Sequence, residues 1–231
     1  MLLQEARDTT MGALPIEALI FDMDGLLVDT ESLAMQGLAS AAADMGFDAP
    51  EAFRHAMIGV PADHCLRLVQ ERFGEAFPAA AYLAEASRHM EILIEAGALK
   101  LKPGVLDLLS ELDAIGMRKA VATSSSRAKA DRHLRRTGII SRFDAIVTRD
   151  DVARGKPHPD LFLRAARELG HAPGNCLALE DSYNGVRAAD AAGSMVIMVP
   201  DLLPPTEEMR SICLTIAPDL HAVCPLFRRP M

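Results

Sequence analysis

The sequence predicts an α/β protein: a doubly wound parallel sheet carrying an inserted helical segment. Three observations lead there. From Lys102 onward, short apolar runs alternate with helical stretches ended by glycine. From Glu31 to about Leu99 no convincing strand occurs, and apolar residues recur at helical spacing. Ahead of both, an isolated apolar run, Ala18-Leu19-Ile20-Phe21, ends in Asp22-Met23-Asp24-Gly25. Strand–helix alternation implies right-handed βαβ crossovers and a parallel sheet. The first run then becomes a strand of the same sheet, apolar throughout because both its faces are covered.

In chain order, the Ala18–Phe21 strand leads into Ser32–Gly46, an alanine-rich helix with Ser32 as its expected N-cap and Gly46 as its stop. After the Gly59-Val60-Pro61 break, helices are expected over 63–73 and 79–95. Pro103 is expected to open a helix that carries Val105, Leu108, Leu109 and Leu112 and stops at Gly116. Strands follow at 119–123, 145–147, 176–179 and 195–199. Helices fill the intervals at 127–137, 159–169 and 184–192. The tail reads as a short helix near Glu207, a weak edge strand over 213–216 and a closing helix.

Asp22 and Asp24 end the first strand and, two apart on an extended backbone, point the same way. Thr123-Ser124-Ser125 ends the second strand, Lys156 follows the third, and Glu180-Asp181 ends the fourth. Open α/β sheets bind ligands outside the carboxyl ends of their strands, and all four clusters map to that edge. Alone, each also reads as something ordinary: solvated aspartates, a helix cap, a surface lysine, acids at a helix start. Together they suit anionic chemistry. Carboxylates of Asp22 and Asp181 with a backbone carbonyl would give Mg2+ hard oxygen ligands. Lys156 would neutralise incoming phosphoryl charge, so that a carboxylate nucleophile becomes usable. The Thr123 hydroxyl and the N–H groups after it, at a helix start, favour phosphate. Asp24 could protonate a leaving oxygen and then activate water.

The stretches Phe21-Asp22-Met23-Asp24-Gly25-Leu26-Leu27-Val28-Asp29-Thr30-Glu31, Val121-Ala122-Thr123-Ser124-Ser125-Ser126, Gly155-Lys156-Pro157-His158-Pro159-Asp160 and Leu179-Glu180-Asp181-Ser182-Tyr183-Asn184-Gly185 resemble, in order, the four motifs of the haloacid dehalogenase superfamily. The resemblance covers about residues 17–200 and is nearest to the subgroup of β-phosphoglucomutase and small-metabolite phosphatases. It implies a HAD-like Rossmannoid core at 1–31 and 99–231, with a helical cap at 32–98 that closes over the site. It also implies Asp22 as phospho-aspartyl nucleophile, Asp24 as general acid/base, and Thr123 and Lys156 as holders of the phosphoryl group, with Ser124 and Ser125 beside them. Mg2+ would be held by Asp22, the Asp24 carbonyl and Asp181, with Glu180 close behind. An acid at Asp24 argues against dehalogenation.

The mutase pattern has a histidine shortly after the first motif, where this chain has Ala34 or its neighbours, and an arginine after the Gly-Val turn, where it has Pro61-Ala62. The expected activity is therefore phosphatase action on a small phosphorylated metabolite. A phosphosugar mutase is the alternative, followed by a non-catalytic phosphometabolite-binding protein.

Composition narrows the partners. A net charge of −8 with no Trp and two Tyr carries no nucleic-acid signature. The basic run Arg127-Lys129-Arg132-Arg135-Arg136 falls on a helix and reads as a solvated face. Cys65, Cys176, Cys213 and Cys224 have neither zinc nor disulfide spacing, so free thiols in a reducing cytoplasm are expected. Residues 1–15 lack the apolar stretch of a signal peptide, and residues 1–10, ahead of Met11, read as a dispensable leader or a misassigned start. No run has membrane-spanning length. A cytoplasmic monomer is the resulting expectation.

Overall fold

The computed structural model of the chain describes residues 16–58, 60 and 62–227. The leader at 1–10, and Gly59 and Pro61 of the predicted break, lie outside the described residues. In chain order the elements are β1 (Ala18–Phe21), α1 (Thr30–Asp44), α2 (Glu51–His55), α3 (Ala62–Phe73), α4 (Ala79–Glu95), α5 (Val105–Ala114), β2 (Arg118–Ala122), α6 (Arg127–Arg136), β3 (Ala145–Val147), α7 (Asp160–Leu169), β4 (Cys176–Glu180), α8 (Tyr183–Ala191), β5 (Met195–Met198), α9 (Glu207–Ile212) and β6 (Thr215–Ile216).

All six strands pair in parallel, in the order β3-β2-β1-β4-β5-β6. β1 therefore lies at the centre, its Ile20 beside Ala120 of β2 and Ala178 of β4. Every residue of β1 and β4 is buried, which explains their unbroken apolar character. One face of the sheet carries Ala18, Ile20, Ala122, Ala178 and Met198. It packs on Leu161, Phe162 and Ala165 of α7 and on Val186 and Ala189 of α8. Leu19, Phe21, Val121, Leu177 and Ile197 alternate to the other face. Leu108, Leu109 and Leu112 of α5 and Leu134 of α6 are buried outside the first cluster. The fold is α/β and doubly wound, as the alternation predicts.

Several boundaries differ from expectation, each for a local reason. Helix α1 is capped by Asp29, whose side chain accepts from Ser32 N, so Ser32 stands inside the first turn. Helix α2, only five residues long, is too short to display a helical period in sequence. Pro103 stands outside α5, whose N-cap is Gly104 at φ 84. The expected closing helix is instead two short 3-10 turns, Leu220–Ala222 and Cys224–Leu226, the second carrying Pro225 at its start. A proline there lacks the N–H that a continuing α-helix would use. All four cysteines are free. Among the described residues no helix is long and apolar enough to cross a membrane.

The chain divides into two compact units, Met1–Val28 with Leu101–Met231, and Asp29–Lys100. The second unit thus takes in residues 29–31 and 99–100, because Asp29 and Thr30 already belong to α1 and its cap. In the first unit, Val28 bridges to Leu101 in antiparallel fashion and Lys102 N donates to Leu27 O at 3.0 Å. In the second, Asp29 N donates to Lys100 O at 2.9 Å. The chain therefore leaves and returns along adjacent paths.

Within the helical unit, α1 and α4 pack closely because Gly37 has no side chain: a Cβ there would stand 2.4 Å from Ala86 O. Phe47 meets Phe73, Phe77 and Tyr82 edge-on at centroid distances of 5.0, 4.9 and 5.0 Å. His89 of α4 pairs with Asp44 of α1 at 2.7 Å. Tyr82, fully buried, donates from its hydroxyl to Leu38 O at 3.1 Å. Tyr82→Phe keeps the ring packing and removes only this bond, so urea unfolding is expected to show a loss of about 1 kcal/mol. An unchanged midpoint would deny the bond a stabilising role.

Candidate active site

Asp22 follows β1 directly, its N–H donating to Leu179 O of β4 at 3.0 Å. The chain then turns tightly: Leu27 N donates to Met23 O, and Gly25 N donates to Val28 O with Gly25 at φ 85. A positive φ of this size is open to glycine without penalty. Thr123 continues β2, with its N–H on Val147 O at 2.9 Å. Glu180 is the last residue of β4, and strand order reverses between β1 and β4, so Asp22 and Glu180 flank the crevice where open α/β sheets bind ligands.

Lys156 joins the two. Its ammonium donates to Asp22 Oδ1 and to Glu180 Oε1, and lies 5.3 Å from the Phe162 ring centroid. The Lys156–Pro157 peptide is cis. Glu180 is completely buried, and its second oxygen accepts from Asp181 N, Ser182 N and Ser182 Oγ at 3.2, 3.3 and 3.1 Å. Asp181 is buried next to it.

The Asp24 side chain bonds at the end of β2, so the two aspartates, expected to point the same way, take different hydrogen-bond partners. Asp24 Oδ2 accepts from Ser125 Oγ at 2.7 Å and lies 3.5 Å from Thr123 Oγ1, while Ser125 N donates to Thr123 Oγ1 at 3.0 Å. Lys129 Nζ stands 3.6 Å from Asp24 Oδ1, and Nδ1 of the fully buried His133 stands 3.9 Å from the same oxygen. Ser124 is exposed beside the network, and its side chain makes no hydrogen bond among the described residues.

Of the eight residues singled out in sequence, the structure brings Asp22, Lys156, Glu180 and Asp181 into one buried cluster and Asp24, Thr123 and Ser125 into a second. Sequence reasoning missed Lys129 and His133 by treating their helix as a solvated face. In fact α6 buries Ala130, His133 and Leu134, and Arg127 donates to Ile146 O and to Asp151. The apolar pair at 130 and 134, four apart, was the available signal for the inward face.

Charge within the cluster is unbalanced. Burial pushes the Asp22 carboxyl up to about 8, with Glu180 and Asp24 pushing the same way and Lys156 pulling against them. Burial disfavours the Lys156 ammonium, but the carboxylates of Asp22 and Glu180 outweigh it and hold its pKa above the usual lysine value. Carboxylate oxygens of Asp22, Glu180 and Asp181 all lie within 4.8 Å of one another. Such a hard-oxygen set suits Mg2+, and a divalent cation would favour the ionised form of Asp22 that burial disfavours. The residues present fit that ion.

Fold and site together define a class: a doubly wound α/β enzyme whose polar groups converge at the carboxyl edge of its sheet. A family model described as "Hydrolase: haloacid dehalogenase-like hydrolase" matches residues 16–193. The chain belongs to that family and is a hydrolase. It is 36% identical over 197 residues to protein CbbY of Rhodobacter capsulatus, covering 80% of this chain and 86% of that protein. It is 32% identical over 178 residues to the phosphorylated carbohydrates phosphatase of Thermotoga maritima, covering 77% and 82%. The crystal structure of CbbY from Rhodobacter sphaeroides in complex with phosphate superposes with TM-score 0.69 at 30% identity, covering 89% of this chain and 95% of that one. A mutant of that CbbY was solved with xylulose-(1,5)bisphosphate.

The raised Asp22 pKa has a stability consequence. Unfolded, Asp22 releases its proton near about 3.9, whereas the folded state retains it until about 8, so stability is lost as the pH rises between those values. Asp22→Asn removes this dependence. In chelator, the variant is expected to melt above the wild type near pH 8, with the gap closing as the pH falls toward about 4. A gap independent of pH would contradict the assignment.

Proposed function

We propose that this hydrolase is a Mg2+-dependent phosphatase of a small phosphorylated metabolite, with a sugar phosphate as the favoured substrate class, and that it works through a phospho-aspartyl intermediate on Asp22. The observation that carries the reading is the buried ammonium of Lys156 held between Asp22 and Glu180, with Asp181 alongside. A carboxylate cluster of this kind is costly to bury and serves no packing purpose.

Asp22 Oδ2, which accepts no hydrogen bond among the described residues, is the attacking atom. It forms a bond to phosphorus as the bond from phosphorus to the leaving oxygen breaks. Asp24, protonated, gives its proton to that leaving oxygen. Asp24, now ionised, takes a proton from a water molecule as the water oxygen bonds to phosphorus. The acyl phosphate bond to Asp22 then breaks, freeing inorganic phosphate and restoring both aspartates. Lys156 and Thr123 hold the phosphoryl oxygens through these steps, the Ser124 backbone N–H ahead of α6 assists, and Ser125 N–H orients the Thr123 hydroxyl. Ser125 Oγ and Lys129 orient the Asp24 carboxylate. Asp22, Asp181 and the Asp24 carbonyl, with Glu180 behind them, would hold Mg2+, which supplies positive charge to offset the transferring phosphoryl group.

Water is favoured as acceptor over a second sugar hydroxyl because Ala34 and its neighbours supply no histidine of the mutase type. Relatives named as a phosphorylated carbohydrates phosphatase and as a CbbY solved with a sugar bisphosphate favour the sugar class. Free cysteines accord with a reducing cytoplasm.

Hydrolysis of p-nitrophenyl phosphate is expected with Mg2+ and is expected to vanish in excess chelator; activity that survives chelation would remove the metal from the reading. Asp22→Asn is expected to lower kcat on the order of 10,000-fold or more. Wild-type turnover in that variant would remove Asp22 as nucleophile. A panel of sugar phosphates, nucleotides and phosphoglycolate then identifies the substrate class.

A further inference from the structure

Gly185, in the first turn of α8, lies against the Glu180 carboxylate. A Cβ on Gly185 would stand 1.9 Å from Glu180 Cδ and 2.0 Å from each of its carboxylate oxygens. Those separations are close to bond lengths, so no side chain fits at 185 while Glu180 keeps its position. Gly185 has no positive φ, so the requirement is for space and not for backbone freedom.

Glu180 needs that position. Its Oε1 accepts from Lys156 Nζ, and its Oε2 accepts from the N–H groups of Asp181 and Ser182 and from the Ser182 hydroxyl. The Gly185 N–H in turn donates to Ser182 Oγ at 3.1 Å. One residue thus supplies both a donor to the cap of α8 and the void that the carboxylate fills.

We infer that Gly185 is a positioning residue for the Asp22 site: its missing side chain admits the Glu180 carboxylate against the first turn of α8, and Glu180 so placed holds Lys156 on Asp22. The inference rests on the phosphatase reading only in treating Lys156 and Asp22 as reacting groups. The three atoms that a methyl group at 185 would approach most closely all belong to the end of one side chain, that of Glu180. The carboxylate therefore moves while the fold survives, and Lys156 loses its anchor. Were Gly185 merely a helix residue, alanine would be neutral or stabilising.

Four proteins test this: wild type, Gly185→Ala, Glu180→Asp and the double variant. Each is assayed with p-nitrophenyl phosphate and Mg2+ and melted thermally in chelator. Gly185→Ala is expected to stay folded and to lose kcat by about 100-fold, the size that a misplacement of about 1 Å produces. Aspartate at 180 is one methylene shorter and vacates the contested space. The double variant should therefore turn over no more slowly than Glu180→Asp alone, a non-additivity that contact between the two residues requires. Losses that multiply in the double variant, or wild-type turnover in Gly185→Ala, overturn the inference. Should Gly185→Ala fail to fold, recovery of the fold in the double variant supports the steric conflict, and an unfolded double variant overturns it. A wild type inactive on every phosphomonoester would defeat the phosphatase reading alone. The melting midpoints would still decide the inference: a drop for Gly185→Ala that disappears in the Glu180→Asp background supports it, and an equal drop in both backgrounds overturns it.

Discussion

The contact on which the rest of the core depends is the ammonium of Lys156 between the carboxylates of Asp22 and Glu180. Charges this deeply buried persist only when each finds a partner. Bringing these three together needs the end of β1, the loop after β3 and the end of β4 at one place. A parallel sheet with β1 between β2 and β4 does so, because all its strands finish on the same edge. The sheet supplies rigidity, and its loops supply charged groups that could not be tolerated inside it.

Much of this was legible from sequence. The four polar clusters follow apolar runs, and a run buried on both faces is recognisable even when its neighbours are unknown. Thus Asp22, Thr123, Lys156 and Glu180 could be assigned to one edge before any contact was known. What escaped was information carried across the fold rather than along it. Lys129 and His133 sit on a helix dominated by charge; Ala130 and Leu134 signal an inward face, but that Lys129 and His133 approach Asp24 is seen only in the fold. Ser32 and Asp29 are both good cap residues, and the choice of Asp29 is made where Asp29 N meets Lys100 O, a long way off in sequence. The tail misled because apolar residues at 220, 223, 224 and 227 suit a helix equally well as they suit the short turns that bury them.

The two aspartates of the first motif show how a spacing of two residues separates roles. Asp22 lies among acids, where burial and like charge raise its pKa. Asp24, past the strand end, meets a serine hydroxyl and a lysine. Gly25, at φ 85, follows Asp24 directly in the tight turn that the chain takes after β1.

The chain departs toward the helical unit at Val28 and comes back at Leu101, and the two crossings lie side by side, bonded to each other. A segment whose two ends are neighbours can be lengthened, shortened or exchanged without altering any strand register. The sheet edge that gathers Asp22, Lys156 and Glu180 and the inserted helices are consequently free to diverge at different rates. A lineage could rebuild residues 29–100 while inheriting the sheet and its polar edge unchanged.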